Sequence, residues 1–122
     1  MDDRTGYLIP REHRRFKAKP RALVFLPHGP EAVPYHIVDI SEGGLSFSYL
    51  GEKINLKGTF PVCLYDDEEL LVENLTVKAV SDTKLRDDLV PVRRSSICFE
   101  PLNLNQRNVI VTFIQSCTEQ PQ

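Results

Sequence analysis

The sequence predicts an all-β fold: a six-stranded antiparallel β-barrel, closed or nearly closed, followed by one C-terminal α-helix. Short apolar or alternating segments follow one another with turn residues between them and no helical pattern intervening; this favours neighbouring strands in antiparallel order. The stretch Leu45–Leu50 alternates with period two, with Leu45, Phe47 and Tyr49 on one face and Ser46 and Ser48 on the other. Only the tail changes period. Val109, Ile110, Phe113, Ile114 and Cys117 fall at helical spacing, and Asn103 with Gln106 three residues later forms a capping-box pattern.

Taken in order, residues 1–10 read as a short flexible leader ended by Pro10, and residues 11–21 as a basic loop or arm outside the core. Ala22–Pro27 is the first predicted strand, and His28-Gly29-Pro30 is a turn signal. Val33–Ser41 is the second, with Val38 and Ile40 expected to face the core, and Gly43-Gly44 breaks it. Leu45–Leu50, Thr59–Tyr65 and Leu70–Ser81 follow, the last two joined by the acidic turn Asp66-Asp67-Glu68. Residues 82–89 read as a charged loop and Val90–Glu100 as the last strand, with the helix packing its apolar stripe on the barrel. The predicted organisation is therefore an arm-bearing leader over 1–21 and one domain over 22–122.

A chain of 122 residues that is 41% apolar and 26% charged suits a single soluble domain without metal or disulfide staples. No apolar run reaches the ~20 residues of a spanning helix, so no membrane span is expected. Met1-Asp2-Asp3-Arg4 lacks the basic-then-apolar opening of a signal peptide. Cys63, Cys98 and Cys117 are odd in number and set among apolar neighbours, which predicts reduced, packed thiols and a cytoplasmic location.

The net charge of −2 argues against a general nucleic-acid binder, but its distribution is uneven. Between Arg11 and Arg21 stand six basic residues (Arg11, Arg14, Arg15, Lys17, Lys19, Arg21) against the single acid Glu12. From residue 22 onward there are eight basic and fourteen acidic residues. Only Phe16 interrupts the basic run as an aromatic, too little for a single-strand stacking platform, so no nucleic-acid partner is expected.

Catalysis has little local support. No His-x-x-x-His or Cys-x-x-Cys pairing suggests a metal. His13, His28 and His36 are scattered over the arm, a turn and a strand, and Asp66–Glu69 lacks the glycine and spacing of a calcium loop. The expectation is no enzyme, no metal and no cofactor.

Two segments stand apart. In Asp39-Ile40-Ser41-Glu42-Gly43-Gly44 the carboxylate and hydroxyl are two residues apart, hence on one face of a strand, and the glycines permit a tight turn and leave room for a ligand. Such a set can accept a guanine's N1–H and N2–H and offer backbone N–H groups to a phosphate, although Asp and Ser are also ordinary turn formers. In Arg11-Glu12-His13-Arg14-Arg15 two arginines stand at i and i+4. A planar guanidinium matches a phosphate, the O6/N7 edge of guanine or the face of a base, whereas lysine matches only the first.

Together, Arg11 and Arg15 before the first strand and Asp39, Ser41 and Gly44 after it resemble the PilZ domain family, whose hallmark is Arg-x-x-x-Arg followed by Asp/Asn-x-Ser-x-x-Gly. Arg15–Lys19 leading into Ala22–Leu26, and Ile37–Tyr49, are also similar to single-domain members. The resemblance spans essentially the whole chain. It implies a split Greek-key barrel and a non-catalytic receptor for cyclic di-GMP, bound through Arg11, Arg15, Asp39, Ser41, Gly43 and Gly44. Arg14 is a further contact or simply exposed. It also implies a relay to a downstream protein partner controlling motility, polysaccharide or virulence. The alternative is a nucleotide-independent protein–protein adaptor of the same fold.

Overall fold

The computed structural model describes residues 14–87 and 89–119; Arg11 of the predicted arm lies outside them. Among the described residues, seven strands and one helix occur in the order β1 (Phe16–Lys17), β2 (Ala22–Phe25), β3 (Tyr35–Ile40), β4 (Gly44–Leu50), β5 (Thr59–Asp66), β6 (Glu69–Arg86), β7 (Val92–Phe99) and α1 (Leu104–Cys117). Two antiparallel meanders, β2-β3-β4 and β5-β6-β7, are joined by the pairs β2–β5 and β4–β7. The result is a closed six-stranded barrel, with the two-residue β1 added beside β3. Closure leaves those six strands no long open edge.

Alternation explains most of the interior. Ala22 and Val24 of β2, Leu45, Phe47 and Tyr49 of β4, and Leu75 and Val77 of β6 face inward, while an irregularity in the β5–β6 register brings Val72 to the same side. Phe47 is fully buried and stacks on Tyr35, ring centroids 5.2 Å apart, with Tyr49 tilted against both. The two-residue connection Asp67-Glu68 closes the β5–β6 hairpin with Asp67 at φ 60°, a left-handed position that aspartate tolerates. The helix begins as its sequence pattern predicts. Gln106 N donates to Asn103 Oδ1 at 2.8 Å, while Asn103 N donates to Gln106 Oε1 at 3.0 Å. Ile110, Phe113, Ile114 and Cys117 are buried, whereas Val109 sits at the margin of the stripe and is exposed.

Three expectations are corrected. In β3 Ile37 faces inward with Tyr35 and Ile40, and Val38 does not, because the β3–β4 register shifts between Ile37 and Asp39. A bulge adds one residue and resets which side chains face the core. Residues 82–86 are strand rather than loop: Asp82 pairs with Ser95, Thr83 with Arg94, Lys84 with Arg93 and Arg86 with Val92. Polar side chains on both faces hide such a ribbon from a pattern search.

The basic segment, finally, does not all lie outside the core. Phe16 pairs with Ile40 and Lys17 with Asp39, and Ala18 is buried. The chain after the helix holds the other side: Lys19 N donates to Cys117 O at 2.8 Å, and Glu119 N to Lys17 O at 2.9 Å.

All three cysteines are free, with Cys63 and Cys117 buried. No helix among the described residues is long and apolar enough to cross a membrane.

Phe47→Ala should cost about 3–5 kcal/mol in chemical unfolding, since it empties the centre of the aromatic cluster. Burial first, and then the charge of Glu31, push the Tyr35 hydroxyl above its ordinary range. A raised folded value contributes stability below the unfolded pKa of about 10, and that stability is lost as pH rises through the folded value. The unfolding midpoint should therefore fall in alkaline solution, and less so in Tyr35→Phe. That variant strands nothing among the described residues, where Tyr35 Oη has no hydrogen-bond partner.

Candidate ligand-binding site

The polar end of β3 is where the predicted residues meet. The bulge that keeps Ile37 and Ile40 inside aligns Asp39 with Ser46 of β4 and with Lys17 of β1. Ser46 Oγ donates to Asp39 Oδ1 at 2.9 Å, and Arg15, the residue just before β1, donates to the same oxygen at 3.2 Å. Asp39 Oδ2 accepts from Arg94 NH2 of β7 at 2.6 Å. Arg94 also reaches Ser46 Oγ from Nε at 3.1 Å and from NH2 at 3.0 Å. One carboxylate is thus approached by a hydroxyl and by two guanidinium groups from opposite ends of the sequence.

The turn that follows is held internally. Ser41 N donates to Gly44 O at 2.8 Å, and Gly43 N donates to Ser41 Oγ at 3.1 Å. Ser41 is buried, with its hydroxyl facing the turn's own backbone. Gly43 O accepts from Phe99 N at 2.9 Å, which ties the turn to β7. Gly44 is needed for a reason other than a left-handed backbone, since its φ is not positive. A Cβ there would overlap the Ile97 carbonyl oxygen and lie 2.9 Å from Cys98 Cα, so Gly44 lets β4 approach β7 closely.

Arg14 does not join the cluster: its guanidinium lies 5.7 Å from the centroid of the Phe16 ring. The sequence-predicted Arg15 and Asp39 are brought into contact, and Ser41, Gly43 and Gly44 form the adjoining turn. Ser46 and Arg94 were missed. Ser46 is visible in sequence only as the polar side of β4, and nothing in the sequence pairs it with Arg94, 48 residues away.

A second polar knot lies on the ribbon. Asp82 Oδ1 accepts from Arg93 Nε at 2.6 Å, and Tyr49 Oη donates to Asp82 Oδ2. Ile54 N donates to Tyr49 Oη at 3.1 Å, fastening the β4–β5 connection. Both charged side chains are nearly buried. Burial first and then the bond to Asp82 raise the Tyr49 pKa, while the bond to Asp82 holds Arg93 more firmly protonated. This knot joins strands and loop and leaves little of either charge exposed to a ligand. No group of three or more metal-ligating side chains occurs among the described residues.

A family model for the PilZ domain matches residues 10–116. The chain belongs to the PilZ domain family. Among solved structures it is similar to the PilZ domain with c-di-GMP of YcgR from Escherichia coli, at 14% identity and a TM-score of 0.66, covering 88% of this chain and 90% of that one. It is also similar to MrkH, described as a c-di-GMP-dependent transcription regulatory factor, at 15% identity and a TM-score of 0.62, covering 88% of this chain and 50% of that one. The structure of the K. pneumonia MrkH–c-di-GMP complex matches at 18% identity and a TM-score of 0.59, over 88% of this chain and 52% of that one. At such identities these structures establish the shared barrel. None of the curated proteins compared matches the chain.

Within this PilZ domain, Gly44→Ala should destabilise the barrel by about 1–3 kcal/mol, because β4 must move away from β7. Thermal melting would show it, and an unchanged melting temperature would mean that the strands accommodate a methyl group.

Proposed function

We propose that the protein is a receptor for cyclic di-GMP with no catalytic activity of its own. The observation that carries this reading is the meeting of Arg15 with Asp39 beside the Ser41–Gly44 turn. Membership of the PilZ family and similarity to structures of c-di-GMP-binding relatives support it.

The chemistry is complementary to a flat, doubly anionic purine dinucleotide. Asp39 accepts the N1–H and N2–H of one guanine. Arg15 and Arg11 supply planar forks for phosphate oxygens or the guanine O6/N7 edge, and their faces stack on the bases. Arg14 adds positive potential at the arm. Ser41, Gly43 and Gly44 set the turn against which the ligand lies. The chain from Phe16 onward is paired with β3 and with the post-helix segment, so the part that closes over the ligand is the arm before Phe16. That closure changes the surface around the arm, and a downstream protein partner controlling motility, polysaccharide or virulence reads the change. The receptor works in the cytoplasm.

Isothermal titration of micromolar protein with cyclic di-GMP in low salt should give a saturable heat that weakens as salt is raised. Arg15→Ala and Asp39→Ala should each weaken binding by about 10- to 100-fold, because each leaves a polar group of the ligand unpaired. No heat with the wild type overturns the reading, and equal affinity in the variants means the ligand sits elsewhere.

A further inference from the structure

Asp39 carries more partners than a guanine-binding carboxylate can keep. Its Oδ1 accepts from Ser46 and Arg15, and its Oδ2 from Arg94. A carboxylate offers about four lone-pair directions, so three are taken and the pair of oxygens cannot accept two guanine N–H groups as they stand.

The two arginines differ in how they are held. Arg15 precedes β1 and meets Asp39 through one nitrogen at 3.2 Å; its side chain is 42% exposed and that of Arg94 37%, so the number of bonds to the cluster, not exposure, separates them. Arg94 lies inside the β7 ladder, paired with Ser48 on one side and Thr83 on the other. Its guanidinium makes three hydrogen bonds, one to Asp39 and two to Ser46. A part-exposed ion pair made at a single point contributes little, whereas a fork bound at two acceptors on rigid strands loses little entropy and holds its geometry.

Resting on the cyclic di-GMP reading, we infer that Arg94 is a positioning residue of the binding site. It keeps Asp39 and Ser46 in place while Arg15 leaves Asp39 for the ligand, so that Arg15's departure frees an Oδ1 lone pair where guanine approaches. The Arg15–Asp39 contact is a self-closure that the ligand displaces, and Arg94 prevents the carboxylate from following Arg15 away. Register places Arg94 there. Ser46 stands opposite both Asp39 and Ser96, which puts Arg94 two residues along β7 on the diagonal that a long side chain spans.

A double-mutant cycle with titration of cyclic di-GMP tests this. Arg94→Gln should weaken binding about ten-fold or more with melting temperature retained, because Asp39 loses its fixed partner. Arg94→Lys should recover only part of the loss, since an ammonium supplies charge at one point rather than a fork. If Arg94 acts through Asp39, Asp39→Ala with Arg94→Gln should bind within about two-fold of Asp39→Ala alone. Additive losses overturn the inference, as does wild-type affinity in Arg94→Gln. Full rescue by lysine also overturns it, and serves as the test should the glutamine variant not fold. A wild type that binds nothing removes the cyclic di-GMP reading and this inference with it. A wild type that binds while Arg94 variants bind equally removes the inference alone.

Discussion

Ile37 and Ile40 stand three positions apart, so both can face the core only if the strand breaks its two-residue period, and β3 does so between Ile37 and Asp39. Without that shift, alternation from Ile37 would send Asp39 into the apolar interior and Ile40 out to solvent. With it, Ile37 and Ile40 are both buried, and Asp39 comes level with Ser46 and Lys17. The short β1 pairs across this same stretch, so the arm that bears Arg15 is delivered beside the carboxylate. The close approach of Gly44 to Ile97 and Cys98 then draws β7 in on the other side. Core packing, barrel closure and the polar cluster all share this corner.

Two arginine–aspartate arrangements illustrate how burial separates structure from function. Asp82 with Arg93 and Tyr49 is almost wholly removed from water, and each of its oxygens is bonded from within the fold. Breaking it would leave a charge stranded, so it behaves as a fastener. Asp39 with Arg15 and Arg94 is part-exposed, and its partners are unequal in number of contacts. A carboxylate in that position can exchange one partner at small free-energy cost without losing its orientation. Residue types are alike in the two clusters, and solvent access decides what each can do.

Much of the barrel is legible in local patterns. The alternation of Leu45, Phe47 and Tyr49, the acidic hairpin turn at Asp67 and the Asn103–Gln106 box each depend on residues within a few positions of one another. What escapes a local reading is polar structure held by distant partners. Residues 82–86 carry charges on both faces and are strand only because β7 lies alongside. Lys17 is strand only because Asp39 is opposite, and Ala18 is buried only because the post-helix segment returns to it.

The arm's composition and the spacing from Arg15 to Asp39 and on to Gly44 belong to the sequence alone, because residue type settles which groups are planar donors, acceptors or absent side chains. The six-stranded barrel and its trailing helix follow from periodicity in the same way. Only the folded chain decides that Arg94 and Ser46 complete the cluster, that Gly44 serves strand approach, and that Asp39 is shared between two arginines. Those contacts span up to 55 residues and depend on strand register. A one-residue slip would reverse every face, and the bulge that prevents it is set by packing of the whole barrel.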